Sequence, residues 1–160
     1  MSEPGLRAEF VNAFIAGVHE LMAAMLGIKA RRVGVTVSDG NRTPYDTVAM
    51  IGLSGKLKGT IALSLPSETC KGMVERVLGS TLESDDPMIS DAIAEMVNII
   101  GGSAKAKIST LLGSTLDLTL PTVLQGESIE VYSPSKAVWL EFPFQSELGE
   151  FTLMLTLSLT

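Results

Sequence analysis

Two polar side chains in the middle of one predicted helix, Glu95 and Asn98, have the types and spacing that could do chemistry. Because they stand at positions i and i+3, a helix projects both from the same face, in line with Asp91, Gly102 and Lys105. Asparagine and the glycine pair that follows it are poor helix-interior residues, and each glycine costs about 1 kcal/mol relative to alanine. Two explanations are open: close packing of the glycines against a neighbouring element, which spacing alone favours, or a smooth face on which a partner docks.

The helix that carries this polar face is predicted at residues 86–113. Asp86 can cap its first turn, Pro87 lacks only an N–H that would be unpaired there, and Gly113 is a typical C-terminal stop. The pattern predicts a long core helix with one polar side. Its apolar residues recur at steps of three and four and form a stripe for burial: Ile89, Ala92, Ile93, Met96, Ile100, Ala104, Ile108 and Leu111.

The other elements follow from periodicity and from turn residues. Helices are predicted at residues 6–26 and 67–78, the second capped by Ser67. Short hairpin connections imply a mostly antiparallel sheet, and helices segregated from the strands imply a two-layer α+β fold. The two halves repeat weakly, since each has a long helix followed by an extended strand and a hairpin. Strands are predicted at residues 31–37, 46–53, 57–65, 116–120, 122–125, 129–132, 137–144 and 151–159.

Composition limits the classes of function. A chain of 160 residues that is 46% apolar can bury a full core, so we expect a single domain over residues 1–160. Its formal charge of −6 repels phosphate backbones, which argues against nucleic acid as a partner. No apolar run reaches about 18 residues and the N-terminus lacks the pattern of a signal peptide, so we expect no membrane insertion.

The single cysteine and single histidine, Cys70 and His19, exclude an internal disulfide and a Cys/His zinc site within one chain. A lone cysteine fits a cytoplasmic setting, and we expect Cys70 to be buried as a small apolar residue. A glycine-rich phosphate loop, a dinucleotide fingerprint and a nucleophile elbow are all absent from the sequence. The polar face of the long helix is therefore the remaining candidate site.

The segment EMVNIIGGSAK, which begins at Glu95 and follows Asp91, is similar to the E-x-x-N motif of the CheC/CheX/FliY phosphatases of bacterial chemotaxis. Four further segments resemble the CheX-like members of this family in matching order. They are VNAFIAG near the start, IGLSGKLKGTIAL in the first hairpin, PSET at a helix start and LPTVLQGE after the long helix. The resemblance covers nearly all 160 residues.

The resemblance implies a CheC-like fold and an enzyme that removes phosphate from the aspartyl-phosphate of the response regulator CheY. Asn98 would match the amide that enters the regulator's site and orients the attacking water. Glu95 would match the carboxylate that pairs with the regulator's lysine. Asp91, Gly102 and Lys105 would complete the face that docks on this partner. The resemblance also implies a homodimer with no cofactor or metal of its own, the Mg²⁺ being held by the receiver domain.

The first helix repeats the motif spacing at Glu9 and Asn12, which makes them a candidate second site. CheC-like members of the family resemble a duplicated arrangement with two sites, whereas CheX-like members have one, on the later helix. Ala16 stands four residues after Asn12, where the later helix has Gly102 after Asn98. Two alternatives to an enzyme stay open: a module that binds receivers without catalysis, and a structural dimerisation domain.

Overall fold

The computed structural model describes residues 8–38, 41–132 and 138–159, which form helices packed on an eight-stranded sheet. The helices are α1 (Ala8–Leu21), α2 (Ser67–Leu78) and α3 (Pro87–Leu112), and a π-helical turn (Met22–Leu26) extends α1. The strands are β1 (Ala30–Arg32), β2 (Thr36–Ser38), β3 (Thr47–Ser54), β4 (Leu57–Leu65), β5 (Asp117–Leu118), β6 (Thr122–Gln125), β7 (Trp139–Ser146) and β8 (Gly149–Leu159). The predicted helix start at residue 6 and strand start at residue 137 lie outside the described residues.

The sheet has the strand order β1-β7-β8-β4-β3-β5, with β2 also paired to β7 and β6 also paired to β3. The pairings are antiparallel, and hairpins connect β3 to β4 and β7 to β8. All three helices share one buried cluster with one face of the sheet, as expected when apolar helix stripes need a common partner. The predicted α+β layer fold with an antiparallel sheet is confirmed. Large side chains in that cluster include Phe10, Phe14, Ile93, Met96 and Phe144.

The opposite face of the sheet is partly covered as well. A smaller apolar cluster there consists of Val48, Ala62, Val131, Trp139 and Met154. Strand β8 is therefore buried from Phe151 through Leu157, although its side chains alternate between two faces.

The two halves of the chain share one organisation. In each half a long helix precedes two short strands and then a hairpin: α1, β1, β2 and β3–β4 in the first, α3, β5, β6 and β7–β8 in the second. The short strands of each half pair with the hairpin of the other half. Strands β4 and β8 pair at the centre, so the sheet is pseudo-twofold about that pair. Among the described elements, α2 is the one without a counterpart.

The helix ends follow the predicted capping residues. The Asp86 side chain accepts a hydrogen bond of 2.9 Å from the backbone N–H of Met88, at the start of α3. Gly113 ends α3 with a φ of 64°, in the left-handed region that glycine occupies without a steric cost. Gly27 and Gly79 end the preceding helical segments in the same conformation.

The predicted capping role of Ser67 is wrong, because Pro66 occupies the N-cap position of α2. Asp46, which comes just before β3, takes over the capping function from a distant part of the sequence. Its carboxylate accepts one hydrogen bond of 2.9 Å from the backbone N–H of Ser67 and another of 2.8 Å from the Ser67 hydroxyl. The first turn of α2 is thus tied to the sheet.

Two of the predicted strands are wrong in detail. Residues 31–37 form β1 and β2 with a break between them, across which the register against β7 shifts by one residue. Opposite the break lies Pro143, which has no N–H to donate to a continuous ladder. Residues 129–132 form an isolated bridge, between Arg42 and Glu130, in place of a strand.

One helical stretch among the described residues, Ala8–Leu26, is long and apolar enough to cross a membrane by length and composition alone, with a mean hydropathy of 1.3. In the structure, 44% of that window is buried inside the protein, against α3 and the sheet. Core helices of soluble proteins meet the same criterion, so it is weak evidence for a span. The absence of membrane insertion stays a prediction.

Candidate functional site

The five residues predicted for the polar face lie along one side of α3. Asp91, Glu95 and Asn98 are exposed, and Gly102 and Lys105 are half-buried. The opposite side of the helix holds this face in place, because Ile93, Met96, Val97, Ile100 and Ala104 are buried against the sheet and the other helices. Among the described residues, the side chains of Glu95 and Asn98 have no hydrogen-bond or ion-pair partner, so both can engage another molecule.

The two glycines in the middle of α3 have different surroundings. A Cβ on Gly101 would lie 3.5 Å from the side chains of both Ile51 and Leu118, an ordinary van der Waals distance, so packing against the sheet would accept an alanine there. A Cβ on Gly102 would have no neighbour within 4 Å. Packing against a neighbouring element therefore requires neither glycine, and Gly102 leaves a smooth patch next to Asn98.

Helix α1 packs on α3 beside this face, with Gly17 against Ile100. A Cβ on Gly17 would stand 3.1 Å from the carbonyl oxygen of Ile100. One turn further along α1, the Glu20 carboxylate accepts hydrogen bonds from the Lys107 ammonium at 2.6 Å and from the Ser103 hydroxyl at 2.8 Å. These bonds, from Lys107 first, lower the pKa of Glu20 below its ordinary value.

Two grooves flank the α1–α3 crossing. The first, which we call the Ile99 groove, has a volume of about 400 Å³ and adjoins the Glu95–Asn98 face, since Ile99 follows Asn98. It is lined by Gly17, Glu20, Leu21, Ala24, Met25, Ile99 and Ser103. The second, which we call the Asn12 groove, has a volume of about 590 Å³. It is lined by Glu9, Asn12, Ala13, Ala16, Ala106, Lys107, Thr110 and Leu111.

The two grooves correspond to each other under the pseudo-twofold arrangement. Aligning Glu9 with Glu95 pairs Asn12 with Asn98, and the same offset relates the groove walls. The walls differ in charge at two pairs of positions. Glu20 lines the Ile99 groove where Ala106 lines the Asn12 groove, and the buried, apolar Leu21 lines the Ile99 groove where the cationic Lys107 lines the Asn12 groove. The repeated E-x-x-N spacing is the sequence signal that could have located these groove residues, which our sequence analysis missed.

The site supplies a carboxylate and an amide rather than a nucleophile. Cys70 is 1% exposed, and burial raises the pKa of its thiol to about 11. His19 is exposed and lies edge-on to Phe144, with 5.6 Å between the ring centroids. No group of three or more metal-binding side chains occurs in the described part of the chain. An exposed carboxylate can pair with a partner's cation, and an amide, which both donates and accepts, can hold a water molecule.

The helices packed on this antiparallel sheet have the fold of the CheC-like proteins. The CheX of Desulfovibrio desulfuricans has this fold, with a TM-score of 0.82 and 25% identity over 94% of this chain and 99% of that one. The CheC-like superfamily protein of Shewanella sp. PV-4 is 21% identical, with a TM-score of 0.85 over 96% of this chain and 99% of its own.

The sequence comparisons identify one family among the proteins that share this fold. Residues 47–145 match the family model described as chemotaxis phosphatase CheX. The CheY-P phosphatase CheX of Thermotoga maritima is 30% identical over 127 residues, which are 79% of this chain and 81% of that protein. The chain belongs to the chemotaxis phosphatase CheX family.

Proposed function

We propose that this protein is a phosphatase that hydrolyses the aspartyl-phosphate of a CheY-like response regulator. The observation that carries the proposal is the unpaired Glu95–Asn98 couple, one helical turn apart on the exposed side of α3. The family relationship supports the same activity, because the Thermotoga maritima relative is a CheY-P phosphatase. A protein with this face needs no nucleophile, since an acyl phosphate is already activated.

Asn98 orients the attacking water in line with the phosphorus, and Glu95 pairs with the active-site lysine of the receiver. A neutral amide suits the first role because it can accept one hydrogen bond and donate another without repelling the phosphoryl oxygens. Holding a water in this geometry can raise the rate strongly, because the translational and rotational entropy of the water is already lost before the reaction step. The ion pair of Glu95 contributes mainly to docking.

Asp91, Gly102 and Lys105 form the rest of the docking face around this pair. The missing Cβ at Gly102 lets the receiver approach the helix closely enough for Asn98 to enter its site. The catalytic Mg²⁺ belongs to the receiver, and the phosphatase supplies no cofactor or metal. We further propose that residues 1–160 act as a single cytoplasmic domain and form a homodimer by pairing at an edge of the sheet.

The Glu9–Asn12 pair is not a second working site in this proposal. Lys107 lines the same groove as both residues and pairs there with Glu20 at 2.6 Å, so the wall of this groove has a cation that the lining of the Ile99 groove lacks. The corresponding wall of the Ile99 groove has the apolar Leu21 instead. The two faces therefore share a motif but differ in charge.

The test follows phosphate release from a phosphorylated CheY-like receiver with Mg²⁺ present. We expect Asn98→Ala to lower kcat by about a hundredfold with little change in KM, the size of effect that loss of positioning gives. Glu95→Ala should chiefly raise KM. Asn12→Ala, at the equivalent position of α1, is the matched control and should leave both parameters unchanged.

Full acceleration by the Asn98→Ala variant would refute the proposed mechanism. Saturable binding of the receiver by the wild-type protein with no change in the phosphoryl half-life would favour the non-catalytic binding module instead.

A further inference from the structure

The Ile99 groove has no part in the proposed chemistry, yet it borders the residues that do. Its floor is Gly17 and Leu21, both buried, and its rim is Ala24, Met25 and Ile99. Ile99 is 38% exposed, although it lies in the middle of a 26-residue helix packed on the sheet. The groove is thus an open, apolar cleft beside the docking face.

The groove offers little to a polar ligand. Its one charged side chain among the described residues, Glu20, is engaged by Lys107 and Ser103 through hydrogen bonds of 2.6 and 2.8 Å. The Ser103 hydroxyl is used in the same contact. An occupant would therefore meet carbon surface, and burying apolar surface against it contributes about 25 cal/mol for each Å² removed from water.

The far wall of the groove is built by an unusual piece of backbone. Met22–Leu26 is a π-helical turn, in which Met22 and Leu26 are buried while Ala24 is exposed and Met25 half-buried. Such turns are rare and occur frequently at functional sites. A methionine on this wall adds a flexible, polarisable surface that can adapt to the shape of what docks there.

We propose that the Ile99 groove receives an apolar side chain of the receiver domain, from the surface next to its phosphorylated aspartate. This inference rests on the proposed function and adds to it the contact that selects the partner. Ile99 follows Asn98 and Ser103 follows Gly102, so a domain placed over the Glu95–Asn98 face also covers the rim of this groove. The side chain in the groove then belongs to the same partner that docks on the Glu95–Asn98 face. The apolar lining of the groove favours an apolar side chain.

The Asn12 groove provides an internal comparison within the same molecule. It has a volume of about 590 Å³ and is lined by Glu9 and Asn12, and Lys107 stands in its wall where Leu21 lines the Ile99 groove. The Lys107 ammonium pairs with Glu20 at 2.6 Å, so each groove has one of these two charged groups in its wall. The grooves differ in position: of the two, the Ile99 groove is the one lined by a residue next to Asn98, so a receiver placed over the Glu95–Asn98 face covers that groove and not the other.

The test compares the same substitution at equivalent positions of the two grooves, Ala24→Arg and Thr110→Arg. Both residues are exposed, so either arginine can extend into solvent without disrupting the core. We expect Ala24→Arg to raise KM for the phosphorylated receiver, and Kd for receiver binding, by about tenfold, equivalent to about 1.4 kcal/mol. Its kcat should change less than twofold, and Thr110→Arg should leave all three constants unchanged. Ile99→Ala, which removes rim surface without adding charge, should raise KM in the same direction by a smaller factor.

The results that would overturn the inference differ from those that would overturn the proposed function. Unchanged KM and Kd in Ala24→Arg and Ile99→Ala, with turnover intact, would refute the groove contact and leave the phosphatase proposal standing. An equal loss of receiver affinity in Ala24→Arg and Thr110→Arg would also refute the groove contact. So would a fall in oligomeric mass with Ala24→Arg, because it would identify a second copy of this chain as the occupant. A wild-type protein that binds receivers through the groove but does not speed hydrolysis would refute the phosphatase and support the groove contact.

Discussion

Gly17 of α1 lies against the backbone of Ile100 in α3, with 3.1 Å between the position of a Cβ on the glycine and the carbonyl oxygen. The Cβ position would also lie 3.4 Å from Cγ2 of Ile100, so there is little room for a further carbon atom between the helices. Gly17 lines the Ile99 groove as well, so this close contact forms part of the groove floor.

The first prediction is that Gly17→Ala destabilises the fold. The added Cβ would press on a backbone oxygen, which cannot move aside as the end of a flexible side chain can, so the helices must shift. We expect a net loss of about 1–2 kcal/mol in the free energy of unfolding, after the helix-propensity gain of alanine is included. Urea denaturation measures this difference. Unchanged or increased stability would refute this prediction, since it would show that the helices accommodate the added carbon at little cost.

The second prediction is that Gly102→Ala stabilises the fold, the opposite of the effect expected for Gly17→Ala. This glycine has open space where a Cβ would be, so alanine should raise the free energy of unfolding by about 0.5–1 kcal/mol through helix propensity. The same variant should raise KM for the phosphorylated receiver, since the added carbon stands on the docking face. A loss of stability would mean that packing, and not the approach of a partner, explains this glycine.

Much of α3 could be predicted from the sequence because its determinants are local. Asp86, Pro87 and Gly113 act within one turn of themselves, and the apolar stripe needs only the helical period to be recognised. The same locality places Glu95 and Asn98 on one exposed face. Their equivalence with the α1 motif also follows from spacing alone.

Other features depend on contacts between distant parts of the chain and could not be predicted. The Asp46 carboxylate replaces a local cap at Ser67 because the sheet brings it there across 21 positions of sequence. The break between β1 and β2 depends on Pro143 in a later strand. The two grooves form only where α1 packs on α3. That Leu21 lines one groove and Lys107 the other therefore depends on the packing of both helices.

The third prediction concerns Asp46. Asp46→Ala removes both hydrogen bonds at the start of α2 and leaves the Ser67 N–H without its partner, so we expect a loss of about 1–2 kcal/mol in unfolding free energy. Ser67→Ala keeps the backbone bond and should cost less. Chemical denaturation of both variants tests this order. A larger loss in Ser67→Ala than in Asp46→Ala would contradict the proposed capping.

The fourth prediction is that Cys70 is inert in the folded protein. The side chain is 1% exposed, and burial raises the pKa of its thiol to about 11, so both access and thiolate content are low near neutral pH. A thiol reagent such as iodoacetamide, applied at about pH 8, should label the native protein slowly. The urea-unfolded protein, as the control, should be labelled quickly. Equally rapid labelling of both states would place Cys70 at the surface.

The fifth prediction concerns the pH dependence of the Glu20–Lys107 contact. Hydrogen bonds from Lys107 and Ser103 lower the pKa of Glu20 below its ordinary value of 4.5. A carboxyl with a lower pKa in the folded state contributes stability above the unfolded pKa and loses it as the pH falls through the folded pKa. The Glu20 side chain is 56% exposed, so the contribution should be under about 1 kcal/mol and should shrink in high salt.

A double-mutant cycle of Glu20→Gln and Lys107→Met isolates this contribution, because it subtracts the effect of each substitution on its own. We expect a favourable coupling energy at neutral pH that declines through the acid range below 4.5, where Glu20 becomes protonated and resembles the glutamine variant. Since Lys107 lines the Asn12 groove and Glu20 lines the Ile99 groove, the pair joins the walls of both. A coupling energy of zero at neutral pH and low salt would show that the pair adds nothing to the stability of the α1–α3 crossing. The crossing would then depend on the close backbone contact at Gly17 and on the buried apolar residues around it.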